Sequence, residues 1–107
     1  MKVLFVCSRN RLRSPTAEAV FSSYHGIEAL SAGTNPDAEI SVSADLIDWA
    51  DVIFAMEGVH RRRLRRRFAS VLRDKQIVVL EIPDQYDYMN DVLVDLLKQR
   101  VTPHLRI

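Results

Sequence analysis

A single cysteine, Cys7, stands in the chain. It rules out an internal disulfide framework and a zinc site built on cysteines. No apolar run is long enough to span a membrane, and the opening Met-Lys-Val-Leu-Phe-Val-Cys turns polar too soon for a signal peptide. The expected setting is cytoplasmic and reducing, with no membrane partner. His25, His60 and His104 have no spacing that suggests a metal site and are read as structural. No repeat, linker or low-complexity stretch argues for a second domain. A length of 107 residues with 48% hydrophobic content suits one globular domain over 1–107.

The net charge of +1 is uninformative, but its distribution is uneven. From Thr34 to Glu57 every charged residue is acidic, whereas Arg61 to Arg67 holds six arginines interrupted only by Leu64.

In chain order, residues 2–7 read as a buried strand, too short and too rich in Val, Leu and Phe for a buried helix. A polar loop follows, closed by Arg13, Ser14 and Pro15. Ser14 is a candidate cap and Pro15 suits a first helical turn. Thr16 to Tyr24 places Ala17, Val20, Phe21 and Tyr24 at helical spacing, and Gly26 is the expected left-handed stop. Strands are expected over 27–32, 52–56 and 77–82. Helices are expected after Ser41 or Ser43, from about Glu57 to Leu72, and over Asn90–Val101. Alternating helices and continuously apolar strands imply an α/β fold: one four-stranded parallel sheet, order 2-1-3-4, flavodoxin-like, with helices on both faces. Ligands in such sheets bind beyond the strands' carboxyl ends, at the switch between strands one and three, where the loop after Cys7 opens.

Five residues separate Cys7 from Arg13, and Ser14 follows. A loop of that length can wrap a tetrahedral oxyanion, with successive amides turned inward and arginine's planar fork closing the ring. Loop amides, the helix N-terminus and Arg13 all favour the anionic form of the thiol, which makes Cys7 a candidate nucleophile. Ser14 is placed to donate a hydrogen bond to its sulfur. Asn10 suits the left-handed position that so tight a loop needs.

With these residues in view, the sequence resembles the low-molecular-weight protein tyrosine phosphatase family. That family's opening reads roughly Val-Cys-x-Gly-Asn-x-Cys-Arg-Ser-Pro-x-Ala-Glu, and Val6, Cys7, Asn10, Arg13, Ser14, Pro15, Ala17 and Glu18 match it. Ser31–Thr34 is similar to the segment after the second strand, Asp51–Met56 to the third strand, and Asp84-Gln85-Tyr86 to the family's acid and its aromatic neighbour. The resemblance implies a phosphomonoester hydrolase, most of all a protein tyrosine phosphatase, working without metal or cofactor on a phosphorylated protein or a small aryl phosphate. It further implies that Cys7 attacks phosphorus to give a phosphocysteine, while Arg13 and the loop of Ser8, Arg9, Asn10, Arg11, Leu12 and Ser14 hold the oxygens. Asp84 would protonate the leaving group and then activate water, with Asp87 as the alternative acid, and Tyr86 would flank the substrate. Arg9 replaces the family's glycine, Leu12 its second cysteine and Gln85 its proline. The segment from Gly33 to Asp51 is shorter than in typical members.

The arginine run lies outside that resemblance. Like charges so dense repel at helical spacing. Either they form a helix's wet face, or they dock the acidic segment from Asp37 to Asp51, an acidic partner or nucleic acid across Arg61–Arg67. The competing expectation is therefore a non-catalytic module that binds phosphate, RNA or an acidic protein through the same loop and this helix.

Overall fold

The computed structural model describes residues 1–106. Strand β1 (Lys2–Cys7) sits inside a four-stranded sheet of order β2-β1-β3-β4, with β2 spanning Glu28–Gly33, β3 Val52–Ala55 and β4 Gln76–Val79. All pairings are parallel, as the continuous apolar strands imply. Alternation along β1 sends Val3, Phe5 and Cys7 to one face and Leu4 and Val6 to the other. Both faces are covered. On the first, Phe5 stacks against Phe21 and Phe54, beneath α1 (Arg13–Phe21) and α5 (Asp91–Val101). On the second, Ile47, Leu64 and Leu72 pack from α2 (Ala44–Trp49), α3 (Gly58–Arg67) and α4 (Ala69–Leu72).

The expected topology is the observed one, and the differences fall at element ends and at one break inside an expected helix. Ser43, not Ser41, caps α2 by accepting from the Leu46 N–H, and Asn90 caps α5 in the same way. Helix α1 begins at Arg13 rather than Thr16 and ends at Phe21, and no side chain caps it. Ser14 is therefore not the cap: it lies inside the first turn and its hydroxyl faces Cys7. Gly26 has the left-handed φ of +80° but closes the turn into β2 rather than the helix itself. The single helix expected from Glu57 to Leu72 breaks at Phe68, whose φ of −126° and ψ of 31° are not helical. Strand β4 stops at Val79, short of the expected Ile82, because Glu81 takes φ +56°. Beyond that kink the Ile82 N–H still donates to the Met56 carbonyl at 2.8 Å, carrying the chain to the end of the sheet where β1 opens.

Candidate active site

Between β1 and α1 the chain curls tightly, and its outward carbonyls are tied to one neighbouring segment. The carbonyls of Cys7, Ser8 and Arg9 accept from the N–H groups of Thr34, Asn35 and Glu39 at 2.9, 2.9 and 3.1 Å. These bonds engage three of the loop's carbonyls, while the Asn10 N–H points at the Cys7 sulfur. Gly33 makes the docking possible, since a Cβ there would lie 2.5 Å from the Ser8 carbonyl oxygen and 2.6 Å from the Ala38 Cβ. Asn10 takes φ +57°, the left-handed turn expected of it. The uncapped start of α1 adds free amides at the same place.

Cys7 is buried at the mouth of this loop, its Sγ 2.9 Å from the Ser14 Oγ and 3.3 Å from the donating Asn10 N–H. The direction of the hydrogen bonds follows from counting donors. The Asn10 amide Nδ2 donates both to Ser14 Oγ (3.0 Å) and to Ser31 Oγ (2.9 Å), and Ser31 in turn donates to Glu18 Oε1 at 2.7 Å. Ser14 already accepts from Asn10, so its own proton is available to Cys7. Sulfur thus receives two donors, one from a hydroxyl and one from the backbone.

Arg13 is almost fully buried, which a cation tolerates only when its donors are matched. One Nη donates to Glu57 Oε1 at 2.5 Å and to the Ile82 carbonyl at 2.8 Å. Its Nε lies 3.8 Å from Asp84 Oδ1. The kink at Glu81 therefore has a local consequence: it delivers both the Ile82 carbonyl and Asp84 to Arg13.

Glu57 and His60 belong to this site although the composition marks neither. They form a reciprocal cap at the start of α3, in which the Glu57 side chain accepts from the His60 N–H and the Glu57 N–H donates to His60 Nδ1 at 3.0 Å. Since Nδ1 accepts, Nε2 carries the proton, and it donates to Ser8 Oγ at 2.9 Å. Burial pushes the imidazole down to a pKa of about 4; the Arg13 charge acts in the same direction and Glu57 partly opposes it. His60 is therefore neutral at pH 7 and fixes the base of the loop. The Glu-x-x-His spacing at a helix start is the one sequence signal that could have found it.

Cys7, Ser8, Arg9, Arg11, Leu12, Arg13 and Asp84, all singled out from the sequence, line one cleft of about 450 Å³, together with Asn35 and Arg63. Asn10 and Ser14 stand behind the loop and support it rather than line the cleft. Tyr86 is half-buried against the Phe5–Phe54 core and Tyr88 is exposed; neither lines the cleft, nor does Asp87. The arginine run does not dock the acidic segment: among the described residues its members make no ion pair, while Arg63 and Arg67 bind Thr34 instead.

A buried thiol fed by two donors, an anion cradle at a helix start and a carboxylate across the cleft define a cysteine-dependent phosphatase. Residues 2–48 match the model of the family described as low molecular weight phosphotyrosine protein phosphatase. No curated protein sequence matches the chain. Among solved structures the chain is similar to SP-PTP, a low molecular weight protein tyrosine phosphatase from Streptococcus pyogenes, with 18% identity and a TM-score of 0.77 over 98% of this chain and 93% of that one. It is also similar to YwlE arginine phosphatase from Geobacillus stearothermophilus, with 22% identity and a TM-score of 0.67 over 96% and 94%. A YwlE mutant with a phosphorylated active-site serine is 25% identical, with a TM-score of 0.72 over 92% of each chain. The family's sequence pattern is thus matched over residues 2–48, and the chain as a whole shares the fold of these solved structures.

Proposed function

We propose that the protein hydrolyses phosphomonoesters through a phosphocysteine on Cys7, with phosphotyrosine in proteins as its substrate, in the cytoplasm. The observation that carries the reading is the position of Cys7 and Asp84 on one cleft, each in contact with a group that orients it. The Cys7 thiolate attacks phosphorus while Arg13 and the loop N–H groups hold the equatorial oxygens. As the phosphorus–oxygen bond breaks, the protonated Asp84 carboxyl passes its proton to the departing phenolic oxygen. The resulting carboxylate then takes a proton from water, whose oxygen displaces sulfur and releases phosphate. The Ser14 hydroxyl and the Asn10 N–H support the sulfur both as nucleophile and as leaving group.

Asp84 is preferred to Asp87 because it lines the cleft and sits beside Arg13, whereas Asp87 does not. Phosphotyrosine is preferred to phosphoarginine because Arg9, Arg11 and Arg63 line the same cleft and would repel a guanidinium leaving group.

The test is turnover of p-nitrophenyl phosphate, a phosphotyrosine peptide and a phosphoarginine peptide by wild type and Cys7→Ser. Wild type should prefer the phosphotyrosine peptide, and Cys7→Ser should lose all turnover. Equal rates in the two proteins would remove Cys7 as nucleophile, and faster cleavage of phosphoarginine would overturn the substrate assignment.

A further inference from the structure

Four arginines reach the cleft, but the phosphate chemistry accounts for only some of them. Arg13 is already matched to Glu57, and Arg11 lies 3.4 Å from Glu39. Arg9 and Arg63 have no carboxylate within ion-pair distance among the described residues, yet both line the cleft. Arg63 is also held in place. Its Nη1 donates to Thr34 Oγ1 at 3.3 Å, and Arg67, one helical turn on, donates to the Thr34 carbonyl at 3.0 Å. Thr34 is buried and its N–H is fixed to the Cys7 carbonyl, so this wall of the cleft is tied directly to the catalytic loop. Arg9 comes from the loop itself and Arg63 from α3, so the two cations approach the cleft from different elements.

A phosphate dianion seated over Cys7 faces Arg13 and the loop N–H groups. It leaves Arg9 and Arg63, both exposed on the cleft wall and without a carboxylate partner among the described residues, free to make charge-assisted contacts to an additional anion. Each guanidinium offers a fork that fits a carboxylate or a phosphate. We infer that Arg9 and Arg63 form a second anion subsite, so that the enzyme selects phosphotyrosine flanked in the same polypeptide by an acidic group, either an Asp or Glu carboxylate or a second phosphate. This rests on the phosphatase reading given above and assigns the substrate class within it. The subsite is a specificity element: Arg9 and Arg63 take no part in bond making or breaking.

The test uses three phosphotyrosine peptides that differ only in the adjacent residues: neutral, Glu-containing, and phosphoserine-containing. Steady-state kcat/KM should favour the two acidic peptides over the neutral one by about tenfold at low ionic strength, with the advantage shrinking as salt is added. Arg63→Gln and Arg9→Gln should each reduce that advantage about threefold, mostly through KM, as expected for interactions made equally in ground and transition states. Arg66→Gln removes the same charge from an arginine of α3 that does not line the cleft, and should leave the ratio where it was.

Comparable kcat/KM for the acidic and neutral peptides would overturn the subsite while leaving the phosphatase reading in place. So would an advantage that Arg66→Gln reduces as much as Arg63→Gln does, because that is diffuse attraction rather than a site. If no peptide is turned over, the phosphatase reading fails. Fluorescence anisotropy with the labelled peptides then decides the subsite: tighter binding of the acidic phosphopeptides, lost in Arg9→Gln and Arg63→Gln, upholds it. Equal affinities, or equal binding of the acidic peptide without phosphotyrosine, overturn it. The Glu and phosphoserine peptides, compared with each other, tell which anion the subsite takes.

Discussion

Lowering the pH from 7 to 4 should destabilise the fold by about 3 kcal/mol through His60 alone. The imidazole is fully buried, with Nδ1 accepting from the Glu57 N–H and Nε2–H donating to Ser8. A second proton would turn Nδ1 into a donor facing a donor, in a place where water cannot relieve the conflict. Burial, with Arg13 second, pushes the folded-state pKa from 6.5 down to about 4. In the unfolded chain the ring titrates near 6.5. Between those two values the unfolded state binds more protons, so folding stability rises with pH and levels off above about 7. The gap corresponds to about 3 kcal/mol, all of it lost by the time pH has fallen through 4.

Urea unfolding followed by the fluorescence of Trp49, at intervals from pH 7 to pH 4, would measure the effect in wild type and His60→Gln. The stability difference between the two should narrow by about 3 kcal/mol across that window. Parallel curves would refute the reasoning. An independent check needs only the native protein: the His60 ring resonances should show the Nε2–H tautomer and no titration above pH 5. A midpoint near 6.5 would refute the burial argument even if His60→Gln failed to fold. Asp51 acts in a lower window. The Lys2 backbone N–H at 2.7 Å holds its carboxyl below 3.8, so its contribution is lost only as the pH falls below that value.

Gly33→Ala should cost about 3 kcal/mol and lower kcat, because the new Cβ would meet the Ser8 carbonyl at 2.5 Å and push the loop off its anchor; unchanged thermal unfolding and kcat would contradict this. Asn10→Ala should destabilise by about 2–4 kcal/mol, since it forces an alanine into φ +57° and leaves Ser14 and Ser31 without their donor. Asn10→Gly relieves only the backbone conflict, so a full recovery of activity in that variant would show that the side-chain network is idle. Asp84→Asn should slow an aryl phosphate with a poor leaving group by about a hundredfold and a good leaving group far less. If Asp87→Asn produced that pattern instead, the acid assignment would be wrong. Ser14→Ala should lower kcat by about tenfold or more while leaving KM for p-nitrophenyl phosphate nearly unchanged, and an unaltered kcat would remove its role toward sulfur.

Several parts of the site were legible in the chain because they are local. The loop from Cys7 to Arg13 has its length written in sequence, and the left-handed Asn10 follows from its short polar side chain. The hydroxyl of Ser14 was visible too, though its allocation was not. Capping and thiol support are both open to a serine at that position, and packing α1 against β1 brings it within 2.9 Å of sulfur. The break at Phe68 and the kink at Glu81 left no clear mark, since both are backbone choices imposed by the packing around them.

Strand order and the identity of the loop came from the sequence by itself, because apolar periodicity, right-handed crossovers and motif spacing act over short stretches of chain. Apart from Asp84, which the family resemblance already marked, only the tertiary structure decided which distant groups complete the site. Glu57, Ile82 and Asp84 converge on Arg13 from 44, 69 and 71 residues away, and His60 reaches Ser8 across 52. Such contacts depend on how β3 and β4 stack beside β1, a long-range consequence of core packing. It also settled where the arginine run goes. Arg63 and Arg67 face the cleft wall through Thr34, and Arg63 lines the cleft, because Leu64 must be buried, and burying it turns that side of α3 toward the loop after β2.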